Sequence, residues 1–220
     1  MKILFFDMEF ANGRVPGSIY SLGYVITDAD FRILEPQTDL LINPDSTWNE
    51  YVEQNILAYP KEQVEAAPKF PILYQNLKEL FEGVDVAVGF AVNNDIGALR
   101  KNCERYGLEM FCFRYFDTER LCRLIEEHKD ARGLSGCVQA WCGTIPENQH
   151  RSDGDAYATM MLLREICCRK HVDAEMILTA YPECMGSTDL KQKVGTENKK
   201  KDKKRFFKNK KKNFKKNLTI

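Results

Sequence analysis

Hydrophobic residues along this chain follow two rhythms. Residues 2–8 (KILFFDM) form a short apolar and aromatic run of the kind that makes a buried strand. Residues 19–27 (IYSLGYVIT) make a second, and residues 31–42 hold a third, with the turn at 28–30 predicting a hairpin. Pro44 closes this part. Residues 45–71 read as irregular, partly helical chain broken by Pro60 and Pro68.

From Pro71 the rhythm turns helical. Ile72, Leu73, Leu77, Leu80 and Phe81 give an apolar stripe, and Gly83 stops the helix after Glu82. Residues 84–88 are a fully apolar fourth strand, followed by a helix over 94–106 that ends at Gly107. A fifth strand is predicted over 110–116, and Asp117 can cap a helix over 118–128. Helices at 134–142 and 152–170 follow, with one or two further turns at 174–180. Three strands followed by alternating helix and strand predict an α/β fold, a five-stranded mixed sheet flanked by helices.

Periodicity ends there. The folded domain is expected to span 1–181, residues 182–198 read as a polar linker, and 199–220 as a Lys-rich disordered tail. Charge sharpens this division. The tail holds twelve of the 32 basic residues and one of the 32 acidic ones, so a net of +11 there balances −11 in the remainder. An acidic body with a basic tail suits a polyanionic partner. The eight cysteines include no CxxC pair, which gives no support to a zinc ribbon and suits reduced, mostly buried thiols. No apolar run approaches the ~20 residues of a membrane span, and a cytoplasmic location is expected.

Candidate chemistry lies in three separated segments. Asp7 and Glu9 sit two apart on a strand and so project from one face. Adjacent carboxylates repel unless cations stand between them, and such hard oxygen donors suit Mg²⁺ or Mn²⁺. The same Asp-x-Glu could equally close a strand in solvent. Asp95 opens a helix after the fourth strand, where it is either a site residue or an ordinary helix-terminal aspartate. His150 lies in the loop before the long helix, and Asp155 lies in that helix's first turn. That pairing could hold a carboxylate on a metal while a mobile imidazole meets a nearby water. Together the four carboxylates and one histidine could form two adjacent divalent sites able to clamp a phosphodiester.

With these residues in this order, the chain resembles the DEDDh branch of the 3′–5′ exonuclease superfamily, the group of ribonuclease T and polymerase proofreading subunits. The resemblance covers residues 1–171. Asp7-Met-Glu9 matches its first motif, Asp95 its second, and His150 with Asp155 its third. Ser21-Leu22-Gly23, Ala67-Pro68-x-Phe70 and Phe116-Asp117-Thr118 are further matches. The resemblance implies a ribonuclease H-like fold, two Mg²⁺ ions (Mn²⁺ able to substitute) held by Asp7, Glu9, Asp95 and Asp155, and His150 as general base. It also makes residues 1–181 an exonuclease domain. Two positions depart from it. Phe10 stands where relatives have Thr, and Phe90-Ala91 stand where many have His-Asn. Both positions tend to touch the terminal nucleotide, so Phe10 and Phe90 are candidate substrate contacts.

In the tail, Lys203, Lys204, Arg205, Phe206, Lys210, Lys211 and Lys212 interleave charge for phosphates with a ring for a base. The expectation is a metal-dependent 3′–5′ exonuclease acting on single-stranded RNA or DNA. Two alternatives are a nucleic-acid-binding module without turnover and a polymerase-associated proofreading component.

Overall fold

The computed structural model describes residues 1–126, 133–145 and 150–189. Strand β1 (Lys2–Phe10) pairs antiparallel with β2 (Ile19–Asp28), which pairs antiparallel with β3 (Ile33–Leu41). Short helices α1 (Glu50–Asn55) and α2 (Lys61–Glu65) lie in the stretch expected to be irregular and partly helical. Helix α3 (Phe70–Glu82) then leads to β4 (Val86–Gly89), which runs parallel beside β1. Helix α4 (Asn93–Arg105) crosses to β5 (Arg114–Asp117), parallel to β4. Helices α5 (Thr118–Ile125), α6 (Gly133–Cys142), α7 (Ser152–Lys170) and α8 (Ala174–Ala180) follow.

The sheet has six strands in the order β3-β2-β1-β4-β5-β6, one more than expected. The addition is β6 (Met185–Ser187), antiparallel to β5. Three residues, one of them a glycine, carry no alternation that a sequence could reveal. What holds them is backbone pairing and the next residue, Thr188. Its buried hydroxyl donates to Phe111 O at 2.9 Å and accepts from Phe113 N at 3.0 Å. The linker expected from residue 182 therefore begins as folded chain that completes the sheet. The fifth strand is also shorter than 110–116, because Phe111 and Phe113 pack as aromatic core beside Phe81 instead. The expected end of α5 at 128 and the tail at 199–220 lie outside the described residues.

Helices cover both faces of the sheet. Alternate residues of β1 feed different cores. Ile3 and Phe5 pack with Leu162, Leu163 and Ile166 of α7, while Leu4, Phe6 and Met8 pack with Leu77 and Phe81 of α3 and Leu99 of α4. Burying one such side chain contributes about 1.5–3 kcal/mol, so the strand is anchored from both sides. Helix α7 lies directly on β1 and β2, and a left-handed His171 (φ 53°) ends it. Among the described residues no helix is long and apolar enough to cross a membrane.

Candidate active site

Continuing the alternation of β1 past Phe5 puts Asp7 and Glu9 on the α7 side of the sheet. Asp7 is in register with Gly23 of β2, and Gly23 with Asp39 of β3. This row of three residues seats α7. A methyl group on Gly23 would lie 1.9 Å from both the Ser152 carbonyl carbon and the Asp153 nitrogen. Only glycine allows the helix start to settle onto the strand there. Two residues past that seat, in the same first turn, Asp155 reaches Asp7 and Glu9, and carboxylate oxygens of the three lie within 4.8 Å of one another.

The parallel pairing of β4 beside β1 delivers the next carboxylate. Chain leaving Gly89 emerges at the same sheet edge and turns through Ala91 in a left-handed conformation (φ 56°). The Ala91 N–H donates to Asp117 Oδ1 at 3.2 Å, and that same oxygen accepts from Arg120 N to cap α5. Asp95 follows in the first turn of α4 and is only 4% exposed. It stands outside the tight group of three, yet its charge acts on Asp7. It does not cap α4, whose N-terminus has no side-chain cap. His150 is exposed and left-handed (φ 65°), and its backbone N–H donates to Asp155 Oδ2 at 3.3 Å.

All of these carboxyls are held above their usual range. Burial and the charges of Asp95, Glu9, Asp155 and Asp39 push Asp7 well up. Burial, then Asp155 and Asp39, push Glu9 up to about 8. Burial, then Glu9 and Asp117, raise Asp95 well above a normal aspartate. Burial raises Asp155, with His150 opposing. Beside them the Tyr20 hydroxyl is fully buried with no hydrogen-bond partner among the described residues, and its phenol feels Glu9 and Asp39 first among its neighbouring charges. Clustered hard oxygens that repel one another, next to an unsatisfied hydroxyl, fit divalent cations and their water.

A titration follows from this. A carboxyl whose pKa is raised on folding binds its proton more tightly when folded, so stability declines as pH rises between its unfolded and folded values. For Glu9 that window runs from 4.5 to about 8. Metal-free protein is expected to lose roughly 2–4 kcal/mol across it, after discounting for partial exposure. Thermal melts in EDTA should show this decline, and millimolar Mg²⁺ should flatten it. Parallel melting curves with and without Mg²⁺ at pH 8 would show that no cation enters the cluster.

The structure thus brings Asp7, Glu9, Asp95, His150 and Asp155 to one edge of the sheet. Phe10 is half-buried against the core beneath α3 and α4, and Phe90 is half-buried against the α7 core. Lys203, Lys204, Arg205, Phe206, Lys210, Lys211 and Lys212 lie outside the described residues. Sequence reading missed Asp39, Tyr20, Tyr59 and Ser152. Its one available signal was Gly23 within Ser21-Leu22-Gly23, whose purpose appears only when α7 is seen resting on it.

A search of the curated proteins returns no sequence match. Among solved structures, the chain resembles the nuclease domain of 3′hExo, described as a DEDDh family member bound to rAMP. The TM-score is 0.63 at 13% identity, over 76% of this chain and 92% of that one. Exonuclease X in complex with 5′ overhanging duplex DNA gives 0.60 at 17%, over 80% and 96%. E. coli exonuclease I in complex with a 5cy-dT13 oligonucleotide gives 0.61 at 14%, over 82% of this chain and 42% of that one. At these identities the likeness establishes a shared fold, the ribonuclease H-like exonuclease fold. Sequence goes further, because residues 4–163 match the exonuclease family of ribonuclease T. Most of the chain lies inside that match, and the match contains every carboxylate gathered at the sheet edge; the chain belongs to the ribonuclease T exonuclease family.

Proposed function

We propose that this chain is a divalent-metal-dependent 3′–5′ exonuclease that hydrolyses single-stranded nucleic acid, RNA or DNA, to nucleoside monophosphates. The convergence of Asp7, Glu9 and Asp155 within 4.8 Å carries the reading, because such a group is unstable without cations and useful with them. Asp7, Glu9, Asp95 and Asp155 would hold two ions, Mg²⁺ by preference of hard oxygen donors, with Mn²⁺ able to substitute. When bound, the ions supply Lewis acidity that lowers the pKa of water and offsets phosphate charge.

The protein's own groups then have separate tasks. His150, exposed at the mouth of the site, accepts a proton from the attacking water. Water adds to the phosphorus of the terminal phosphodiester, the bond to the 3′ oxygen of the preceding nucleotide breaks, and that oxygen takes up a proton from solvent. A nucleoside 5′-monophosphate leaves, and the shortened strand keeps a 3′ hydroxyl. The oligonucleotide and nucleotide ligands of the structural relatives support a nucleic-acid substrate.

The test is a time course on 5′-labelled single-stranded RNA and DNA with Mg²⁺, beside an EDTA control and His150→Ala. A ladder shortening from the 3′ end, absent in EDTA, is expected. His150→Ala should slow it about 10²–10⁴-fold while leaving divalent binding near normal. Intact substrate accompanied by a gel shift would instead make the chain a binding module.

A further inference from the structure

The row that carries Asp7 and Gly23 ends in Asp39, a fifth carboxylate that matches none of the family's motifs. Its two oxygens are both engaged. Tyr59 Oη donates to Oδ2 at 2.5 Å, and Ser152 Oγ donates to Oδ1 at 2.8 Å. Ser152 is fully buried and is the first residue of α7. Because its single proton goes to Asp39, the 2.7 Å contact between Ser21 and Ser152 must have Ser21 as donor. The result is a directed chain from β2, through the start of α7, to β3, closed from the other side by Tyr59.

Two further contacts tighten the same joint. Gln37, on the same face of β3 as Asp39, donates from Nε2 to Asp153 Oδ2 at 3.0 Å. Arg151 donates from Nε to Asp153 Oδ1 at 3.1 Å while its guanidinium lies 5.3 Å from the centre of the Tyr59 ring. Strand β3 therefore grips the first two residues of α7, and Asp155 follows on the same helical turn. Asp39 also exerts its charge on the cluster, acting on both Asp7 and Glu9.

We infer that Asp39 is a positioning residue of the metal centre, setting divalent-ion affinity through Ser152 and the first turn of α7 without itself ligating an ion. The inference rests on the metal-dependent reading above. Its logic is that of outer-shell partners generally, where the hydrogen bonds behind a ligand fix its aim and its basicity. Asparagine at 39 keeps the size and one acceptor but removes the charge. Alanine at 152 removes the donor and keeps the helix.

The experiment is a direct Mn²⁺ titration of the full chain by calorimetry, with the number of ions counted by electron paramagnetic resonance. It compares wild type, Asp39→Asn, Ser152→Ala and the double variant, each checked for folding by circular dichroism. Asp39→Asn is expected to weaken binding by about 10-fold with the same number of ions bound. Ser152→Ala should weaken it in the same direction. The double variant should be no worse than the poorer single one, because both changes break one chain of bonds. Unchanged affinity in a folded Asp39→Asn would overturn the inference and reduce Asp39 to a structural contact. Loss of one ion from the count would overturn it differently, by making Asp39 a ligand. Wild type that binds no Mn²⁺ would instead remove the metal-centre reading, and this inference with it.

Discussion

Asp7→Asn is expected to lower the hydrolysis rate by at least about 10³-fold, roughly 4 kcal/mol of barrier, and to make the metal-free protein more stable. The first effect follows from its place in the centre. Asp7 feels four other carboxylates, and removing its charge would take from the proposed ions one of the oxygen donors that would hold them. The second effect has the opposite sign for the same reason. Keeping a buried, crowded carboxyl at pH 8 demands either a proton or an unfavourable charge, and asparagine requires neither. The melting temperature in EDTA should therefore rise, and rise more at pH 8 than at pH 5. Rate is measured on the labelled strands, and stability by calorimetry on the same preparation. A variant that kept near-normal turnover, or that melted lower at pH 8 in EDTA, would show that Asp7 is not the electrostatic focus of the site.

Gly23→Ala should damage stability and activity together. The new methyl would sit 1.9 Å from backbone atoms of Ser152 and Asp153, and backbone cannot swing aside as a flexible side chain can. Helix α7 would have to lift by roughly 1.5 Å, and overpacking of this kind destabilises by about 1–3 kcal/mol or more. In a domain of this size that lowers the melting temperature by about 2–4 °C for each kcal/mol. Activity should fall at least about 10²-fold even where the protein stays folded, because a shift near 1 Å is enough to spoil a reacting geometry. Gly97, exposed within α4 with nothing near its missing Cβ, is the control. Gly97→Ala should leave activity unchanged and stabilise by about 0.5–1 kcal/mol. Equal behaviour of the two variants would mean that α7 does not rest on Gly23.

The contrast between these two positions shows where sequence reading reaches its limit. Asp7 and Glu9 become candidates through the two-residue period of a strand, Asp155 through its place at a helix start, and the family resemblance joins them. Those placements are local facts, written in spacing. Gly23 and Asp39 lie outside any such local signal, because what matters is the row they share with Asp7 across three strands. That row exists only once the register is set. Asp39 is adjacent in sequence to nothing at the site, and its partners Tyr59 and Ser152 lie 20 and 113 residues away.

The strand count has a similar origin. Strands β1, β2 and β4 carry enough apolar length to be read directly, while the polar β3 is signalled by the turn at 28–30. Strand β6 is three residues of Met-Gly-Ser whose order comes from backbone bonds to β5 and from the buried Thr188 hydroxyl. No side-chain pattern within the strand encodes its pairing to β5, because the backbone donors and acceptors that make it are common to nearly every residue.

By itself, then, the amino-acid sequence determined the α/β class and the longer helices and strands through short-range periodicity, while the five candidate residues of the metal-type motif set were assembled through the resemblance to a known family. Tertiary structure alone decided the sixth strand, the glycine seat under α7 and the carboxylate clamp of Asp39. Each of these depends on atoms far apart along the chain that approach only when the sheet is assembled and the helix has docked.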